Sequence, residues 1–341
     1  MIIEQRIPAR VGLIGNPSDG FFGKTIACAI SNFAARVTIW ESPRVEFKPH
    51  QTYDPIQFSD YDELARTATS NGYYGGLRLM FAAAKLFHDY CRQQGIELPP
   101  RSFTVSYDTD IPRQVGLAGS SAIIAGVIKG LVRFYGVTEQ QLPRPVVPNL
   151  ILAAERDELG IAAGLQDRVA QAYGGLVYMD FSRELMELQG HGRYEPLDPA
   201  LLPPLYLAYT FERHDAGISG AVHRPMRYRW EQGEALVVNG MRRLAELTDE
   251  ARGYLDRGDV AALQQAVDHN FAIRREMYGD AALGSHNLKM IEIAHRFGLC
   301  ASFAGSGGAI VGLCDDDRFS GVREAFEAEG AHCVRLEPHR P

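Results

Sequence analysis

The chain has 341 residues, a length that suits two domains better than a single hydrophobic core. Hydrophobic residues make up 46% of it and charged residues 23%, as in an ordinary globular protein. The net charge of −7 argues against a general nucleic-acid-binding protein, which usually carries a basic stripe. The five cysteines are scattered and none forms a CxxC pair, so we expect reduced thiols rather than a zinc site or a disulfide framework.

The sequence gives no sign of membrane insertion or export. No apolar run approaches the roughly 20 residues that a membrane span requires. The first residues, MIIEQRIPAR, lack the apolar core of a signal peptide. With the unpaired cysteines, these features favour a cytoplasmic protein without a membrane partner, and they leave its oligomeric state open.

The first part of the chain predicts short strands mixed with helices. Runs of apolar and β-branched residues predict strands at 10–14, 25–30, 35–40, 103–107 and 174–181. Apolar residues at helical spacing predict helices at 75–91, after Ser120, and at about 149–159. A polar, Pro-rich stretch at 43–60 is typical of a surface loop.

The composition changes at the Pro-rich segment EPLDPALLPP, residues 195–204, where we place a domain boundary. The predicted domains are residues 1–195 and 196–341. The second begins with the strand LYLAYTF and continues with long helices at about 229–257, 259–278 and 284–297, a helix near 319–328 and a last strand, HCVRLEP. Because strands and helices mix without strict βαβα alternation, we expect an α+β fold.

The segment PRQVGLAGSSA, residues 112–122, places bare backbone and two hydroxyls where a helix begins. The first turn of a helix has unpaired N–H groups and a partial positive charge, and glycines let this backbone approach a bulky anion. The segment therefore predicts a phosphate site, with a plain serine N-cap as the alternative. The GxxxxGK[ST] spacing is absent, so it is not a Walker-type loop.

Two further features suit phosphoryl transfer. A second glycine-rich segment, AGSGGA at 304–309, lies between two predicted strands, although a simple β-turn explains it equally well. Glu155 and Asp167 are a pair of acids between the two glycine-rich segments. One carboxylate for a metal ion and another for the acceptor hydroxyl are what phosphoryl transfer needs, and surface ion pairs are the alternative.

Three segments in this order, PARVGLIGNPSD, PRQVGLAGSSA and AGSGGA, resemble the motifs of the GHMP kinase superfamily and span residues 8–309. The segments GNPSDGFFGKT, AGLQDRV and GGLVYMDF resemble the plant-type glucuronokinases in particular. The chain departs from the commoner superfamily pattern at Ala9 and Asn16-Pro17, and its phosphate loop is one residue longer.

The resemblance implies a two-domain α+β fold, with a left-handed βαβ crossover in the N-terminal domain and a ferredoxin-like C-terminal domain. It implies ATP and Mg²⁺ as cofactors and D-glucuronate as the acceptor, phosphorylated on its anomeric hydroxyl to glucuronate 1-phosphate. A different GHMP sugar kinase, of the galacturonate or galactose type, is the alternative. A second alternative is a nucleotide-binding regulator that has no catalytic activity.

The resemblance also assigns roles to individual residues. Asp167 faces the acceptor hydroxyl as general base or orienting group, and Arg10 keeps it ionised. Ser121 and Glu155 contact Mg²⁺. The phosphate-facing loop comprises Gly116, Leu117, Ala118, Gly119, Ser120, Ser121 and Ala122.

Sugar contacts are expected from Asn16 and Asp19, although an Asx-turn suits NPSD equally well. The third motif adds Gly305, Ser306 and Gly307, for which a purely structural turn is the alternative. A sugar acid needs a cationic partner. Lys24 is the nearest in sequence, with Arg213 and Arg227 as alternatives.

Overall fold

A computed structural model of the chain describes residues 1–73, 75–210 and 219–341. The strands are β1 (Ile2–Ile14), β2 (Lys24–Ser42), β3 (Glu46–Phe47), β4 (Ser102–Thr109), β5 (Leu176–Asp180), β6 (Arg193–Leu197), β7 (Leu205–Tyr209), β8 (Ser302–Phe303), β9 (Ala309–Leu313) and β10 (His332–Arg335). The helices are α1 (Tyr61–Asn71), α2 (Gly76–Gln93), α3 (Gly119–Tyr135), α4 (Val147–Ala153), α5 (Gln166–Tyr173), α6 (Arg183–Gln189), α7 (Ser219–Glu231), α8 (Ala235–Arg257), α9 (Val260–Tyr278), α10 (Asp280–Leu283), α11 (Ser285–Arg296) and α12 (Asp316–Glu327).

The first sheet is built around a long antiparallel hairpin of β1 and β2. Its strand order is β3-β4-β2-β5-β6, with β1 paired to β2 outside this path. The predicted strands at 25–30 and 35–40 are two parts of the single strand β2, and both pair with β1. A bulge separates the two parts, so that Pro8 pairs with Ala34 while the next residue, Ala9, pairs with Ile30. The same pairing extends β1 back to Ile2, well before the predicted start at residue 10.

Helix α3 lies against this hairpin and is apolar on nearly all sides. It begins at Gly119, two residues before the predicted start, and eleven of its residues are buried. A Cβ atom built on Gly126 would lie 2.5 Å from Val37 Cγ2, and one on Gly130 would lie 2.6 Å from Ile39 Cδ1. Glycine at these two positions lets α3 approach the sheet closely, which fixes the helix N-terminus relative to β1.

The second sheet has the strand order β10-β7-β9-β8, with every pair antiparallel. Numbered within this part of the chain the order is 4-1-3-2, and helices connect β7 to β8 and β9 to β10. This is the ferredoxin-like arrangement, and the two-sheet α+β architecture is confirmed. In the first sheet, β3 and β4 are parallel and joined through α1 and α2.

The break between the two sheets lies between Leu197 and Leu205, and strand β6 crosses the predicted boundary at 195/196. We therefore propose a division within residues 198–204. The two parts pack closely, since Thr248 on α8 donates its hydroxyl hydrogen to the Lys24 carbonyl of β2 at 3.0 Å.

Two predicted helices end differently in the structure. The predicted helix at 229–257 is interrupted between α7 and α8 at Gly233, whose φ of +71° is in the left-handed region. The one at about 149–159 is α-helical only to Ala153 and continues as a single π-helical segment, Ala154–Glu158. The five cysteines are buried and free, as expected. Within the described ranges, no helix is both long and apolar enough to cross a membrane.

We predict that Gly126→Ala destabilises the protein by about 1–3 kcal/mol, because the added methyl group overlaps Val37 in a packed interior. Gly253→Ala is the matched control. It lies on α8, where the new Cβ atom meets only the mobile end of Arg257 and where alanine favours the helix by roughly 1 kcal/mol. Chemical unfolding of the two variants should give opposite signs, and a stabilised Gly126→Ala would contradict the packing described here.

Candidate active site

The three glycine-rich segments meet in the structure. The Gly12 N–H of the first donates to the Ala304 carbonyl of the third at 2.7 Å. A Cβ atom on Gly305 would lie 2.2 Å from the Gly116 carbonyl oxygen, and one on Gly116 would lie 2.8 Å from that of Gly307. Any side chain at Gly116 or Gly305 would separate the second and third segments.

Arg10 joins these segments to the carboxylate of Asp167. Its Nε donates to Asp167 Oδ1 at 2.6 Å, while its Nη1 donates to the Gly116 carbonyl at 3.0 Å and to the Ala304 carbonyl at 2.5 Å. The Arg10 side chain is 4% exposed. One guanidinium group on β1 therefore contacts both glycine loops and the acid predicted to face the acceptor.

Asp167 is kept ionised by two cations. It lies in the first turn of α5, and Arg168 Nη1 is 3.3 Å from its second oxygen. Burial alone would raise the pKa of Asp167, but Arg10 and Arg168 together hold that pKa below its ordinary value. At neutral pH the group is therefore a hydrogen-bond acceptor.

Glu155 is fully buried within the π-helical segment after α4. Arg168 donates to its Oε2 from Nε at 2.7 Å and also from Nη2, and the Ser120 hydroxyl donates to its Oε1 at 2.5 Å. Burial acts to lower the pKa of Arg168, but Glu155 and Asp167 raise it above its ordinary value. Sequence analysis missed Arg168, although an arginine directly after one candidate acid was a signal.

The phosphate loop is held by its Ala118 carbonyl. This oxygen accepts hydrogen bonds from Gln171 Nε2 at 2.8 Å and from the Ser121 hydroxyl at 3.2 Å. Ala118 itself has a φ of +63°, an uncommon conformation for a residue with a Cβ atom. Such an outlier at the start of a helix is a reason to look for a functional role of the loop.

The two serines of the loop differ in what they contact. Ser121 is fully buried with its hydroxyl on the Ala118 carbonyl, whereas Ser120 reaches Glu155. The metal assignment of Ser121 stays a prediction, and the geometry favours Ser120. Among the described residues no group of three His, Cys, Asp or Glu side chains is placed to hold a metal ion. The hard oxygens of Ser120 and Glu155 suit Mg²⁺ only with further ligands, such as the phosphates of a nucleotide.

Asp19 lies close to Asp167. Its carboxylate accepts a hydrogen bond from the backbone N–H of Gln166, the residue before Asp167, at 3.0 Å. Gly164 leaves room for this carboxylate, because a Cβ atom there would lie 2.1 Å from Asp19 Oδ2. Burial raises the pKa of Asp19 to about 6, and the charge of Asp167 adds to the effect. Asp19 lines a cavity of about 330 Å³, together with Pro17, Gly20, Phe21, Arg156, Ala162, Ala163, Gly164, Arg227, Tyr228 and Glu231.

Asn16 and the third motif take part in hydrogen bonds that hold the glycine-rich segments together. The Asn16 amide nitrogen is 3.4 Å from the carbonyl oxygens of Phe303 and Gly305, so it ties the first segment to the third. Buried Arg274 donates to the Gly305 carbonyl at 2.8 Å and to the Ser306 carbonyl at 3.2 Å. Arg274 was not predicted from the sequence.

The three candidate cations for a sugar acid have different positions. Lys24 Nζ is 2.7 Å from Asp249 and 3.8 Å from Asp180, and Lys24 does not line the cavity of Asp19. Arg227 does line that cavity. Arg213 lies outside the described residues.

We predict that Asp19→Asn raises the free energy of unfolding at pH 7.5 by roughly 2–3 kcal/mol. This is the cost of ionising a carboxyl whose pKa is raised from 3.8 to about 6 in the folded protein. The amide can still accept the Gln166 N–H without a buried charge. The gain should be fully present above pH 6. It should be lost as the pH falls towards 4, because the folded wild-type carboxyl is then protonated while the unfolded chain is still ionised.

Thermal unfolding of both proteins between pH 4 and 8 tests this expectation. Asp256→Asn, which removes an exposed carboxylate from α8, is the control and should change stability by less than about 0.5 kcal/mol. A gain from Asp19→Asn that does not vary with pH would contradict the assigned cause.

The chain was compared with known proteins and structures. Residues 78–175 match the family model "GHMP kinases N terminal domain". Among solved structures, the galactokinase of Lactococcus lactis complexed with galactose superposes with a TM-score of 0.74 at 15% identity, covering 99% of this chain and 93% of that one. The mevalonate kinase of Methanococcus jannaschii gives a TM-score of 0.66 at 17% identity, covering 100% and 98%. These likenesses establish the shared fold.

Sequence relatives narrow the assignment. "Glucuronokinase 1" of Arabidopsis thaliana is 46% identical over 314 residues, which cover 92% of this chain and 85% of the relative. "Probable glucuronokinase 2" of the same plant is 46% identical over 316 residues, with the same coverage. The chain therefore belongs to the glucuronokinase family of the GHMP kinases.

Proposed function

We propose that this protein is an ATP-dependent kinase that phosphorylates the anomeric hydroxyl of D-glucuronate to give glucuronate 1-phosphate. The observation that carries the proposal is the contact of Arg10 with Asp167 and with both glycine loops. This contact supports a phosphate loop and an acceptor-facing carboxylate in one place. The 46% identity to two plant glucuronokinases supports the choice of sugar.

In the proposed reaction the phosphates of ATP lie against the N-terminus of α3, where glycines and outward N–H groups suit a polyanion. The anomeric oxygen forms a bond to the γ-phosphorus as the bond from that phosphorus to the bridging oxygen of ADP breaks. Asp167 accepts a hydrogen bond from the anomeric hydroxyl and orients it. Its lowered pKa favours this orienting role over early proton removal, so the hydroxyl proton passes to Asp167 only as the bond to phosphorus forms.

Charge at the transferred group is balanced by the chain's own cations. We propose that Arg10 stabilises the negative charge that develops on the transferred phosphoryl group beside Asp167. Arg10 is already held in position, so it does not have to move during the reaction. We assign Glu155 and Ser120 to hold Mg²⁺ together with the nucleotide, with Ser121 as the alternative serine. When bound, the ion neutralises phosphate charge.

The sugar site is proposed to be the cavity that Asp19 lines. Its volume of about 330 Å³ is at the small end of ligand pockets, which suits a monosaccharide. We propose that Asp19 accepts hydrogen bonds from sugar hydroxyls there. In this proposal the contacts that hold the first and third segments together beside the sugar come from Asn16, Gly305, Ser306 and Gly307. We further propose that the enzyme works in the cytoplasm, and its five free cysteines support this location.

The test of the proposal is ADP release measured with glucuronate, galacturonate, glucose and galactose, with ATP and Mg²⁺ present. We expect selective turnover of glucuronate, with a phosphorus NMR signal that assigns the product as a sugar 1-phosphate. If the enzyme prefers galacturonate, it is still a uronate kinase, but its substrate is a different epimer from the one proposed. Turnover of none of the four sugars would overturn the proposal, and an ATP-binding measurement would then test the regulator alternative.

We predict that Asp167→Asn lowers kcat by roughly 10²–10⁴-fold, the range attributed to one positioned acid–base group. The amide cannot present the anionic acceptor that Arg10 and Arg168 maintain. Asp157→Asn removes an exposed acid near the site and should leave kcat unchanged. Circular dichroism and ATP affinity should confirm that both variants fold. A near wild-type kcat for Asp167→Asn would remove Asp167 from the reaction.

A further inference from the structure

The cavity beside Asp19 contains an arginine that has no acidic partner among the described residues. Arg227 lies on α7, and its guanidinium is 4.7 Å from the ring centre of Phe21 and 5.7 Å from that of Trp230. It also donates a hydrogen bond from Nη2 to the Gly20 carbonyl. These contacts fix the position of the charge at the wall of the cavity and leave the remaining N–H groups available.

The two other described cations considered for the sugar site are already paired with acids. Arg156, which also lines it, donates to both oxygens of Asp157 at 2.6 and 3.0 Å. Lys24 is paired with Asp249. Within the described ranges, no carboxylate lies within 4.0 Å of the Arg227 guanidinium, although Glu231 lines the same cavity. Arg227 is thus the cation that most needs an anionic ligand.

The proposed sugar acid supplies such a ligand. A carboxylate presents two oxygens to a guanidinium in a geometry that favours paired, charge-assisted hydrogen bonds. Asp19 and Glu231 line the same cavity and provide acceptors for sugar hydroxyls. A pyranose uronate carries both kinds of group, whereas a neutral hexose has only hydroxyls.

We infer that Arg227 binds the carboxylate of the acceptor sugar and determines the preference for uronates over neutral sugars. This inference rests on the proposed function. It places the anomeric hydroxyl towards Asp167 and the carboxylate towards α7, with Asp19 between them, because Asp19 contacts Gln166 and also lines the cavity. The second part of the chain thereby selects the acceptor that the first part phosphorylates.

The test compares Arg227→Gln with the wild type in steady-state kinetics. We expect KM for glucuronate to rise roughly 10- to 100-fold, as for the loss of hydrogen bonds to a charged group. KM for ATP, and kcat/KM for glucose or galactose where turnover is measurable, should stay within about twofold. Arg227→Lys should recover part of the affinity, because lysine keeps the charge but lacks the guanidinium fork.

Two further variants sharpen the comparison. Arg183→Gln is the matched control, since Arg183 stacks 4.2 Å from the ring of Phe22 but is paired with Glu187 and does not line the cavity. It should leave KM for glucuronate unchanged. Arg156→Gln tests the other arginine on the cavity wall. An unchanged KM in Arg227→Gln, or an equal loss in Arg156→Gln, would overturn the assignment.

Calorimetric binding separates this inference from the proposed function. If the wild type does not phosphorylate glucuronate but binds it, and Arg227→Gln loses that binding while keeping its melting temperature, the kinase proposal fails and the carboxylate site stands. If the wild type phosphorylates glucuronate and Arg227→Gln does so with unchanged KM, the kinase stands and the carboxylate site fails. A wild type that neither binds nor phosphorylates glucuronate overturns both.

Discussion

The candidate site depends on the hydrogen bonds of one buried side chain, Arg10. Its guanidinium contacts Asp167 and the carbonyls of Gly116 and Ala304, so it joins α5, the phosphate loop and the third glycine segment. The side chain can do this because β1 is paired along its length with β2, which fixes the backbone from which Arg10 extends. Removal of the guanidinium would leave a half-buried carboxylate with reduced compensation, and loss of one partner of such an ion pair is destabilising in other proteins.

The charges around Arg10 are better explained by function than by stability. Buried ion pairs add little stability compared with apolar residues of the same size, because each charge loses its hydration. Here Arg168 pairs with Glu155 and Asp167, while buried Arg274 donates to backbone carbonyls of the third loop. Burial lowers the pKa of Arg274. Arg10 and Arg168 are balanced by Asp167 and Glu155, so Arg274 is the cation of this group without a carboxylate partner among the described residues.

Features that depend on local pattern could be predicted from the sequence, and features that depend on distant contacts could not. The periodicity of the apolar residues predicted α2 and α3, and the family resemblance carried by the order of the glycine motifs implied the two-domain fold. The orientation of Ser120 towards Glu155 was not predictable, because successive helical residues differ in direction by about 100° and the helix begins at Gly119, two residues before its predicted start. The role of Arg168 depends on Glu155 being buried in a π-helical segment, which no propensity indicates.

Acceptor recognition is the least local part of the site. The contact that holds Arg227 against Gly20 joins residues separated by 207 positions. The phosphoryl-transfer residues, by contrast, lie within short motifs whose spacing is visible in the chain. Asp19 connects the two, because it accepts the N–H of the residue before Asp167 and also lines the cavity of Arg227. Under the proposed function, a change in α7 would therefore alter which sugar is bound while the ion pairs of Arg10 and Arg168 stay intact.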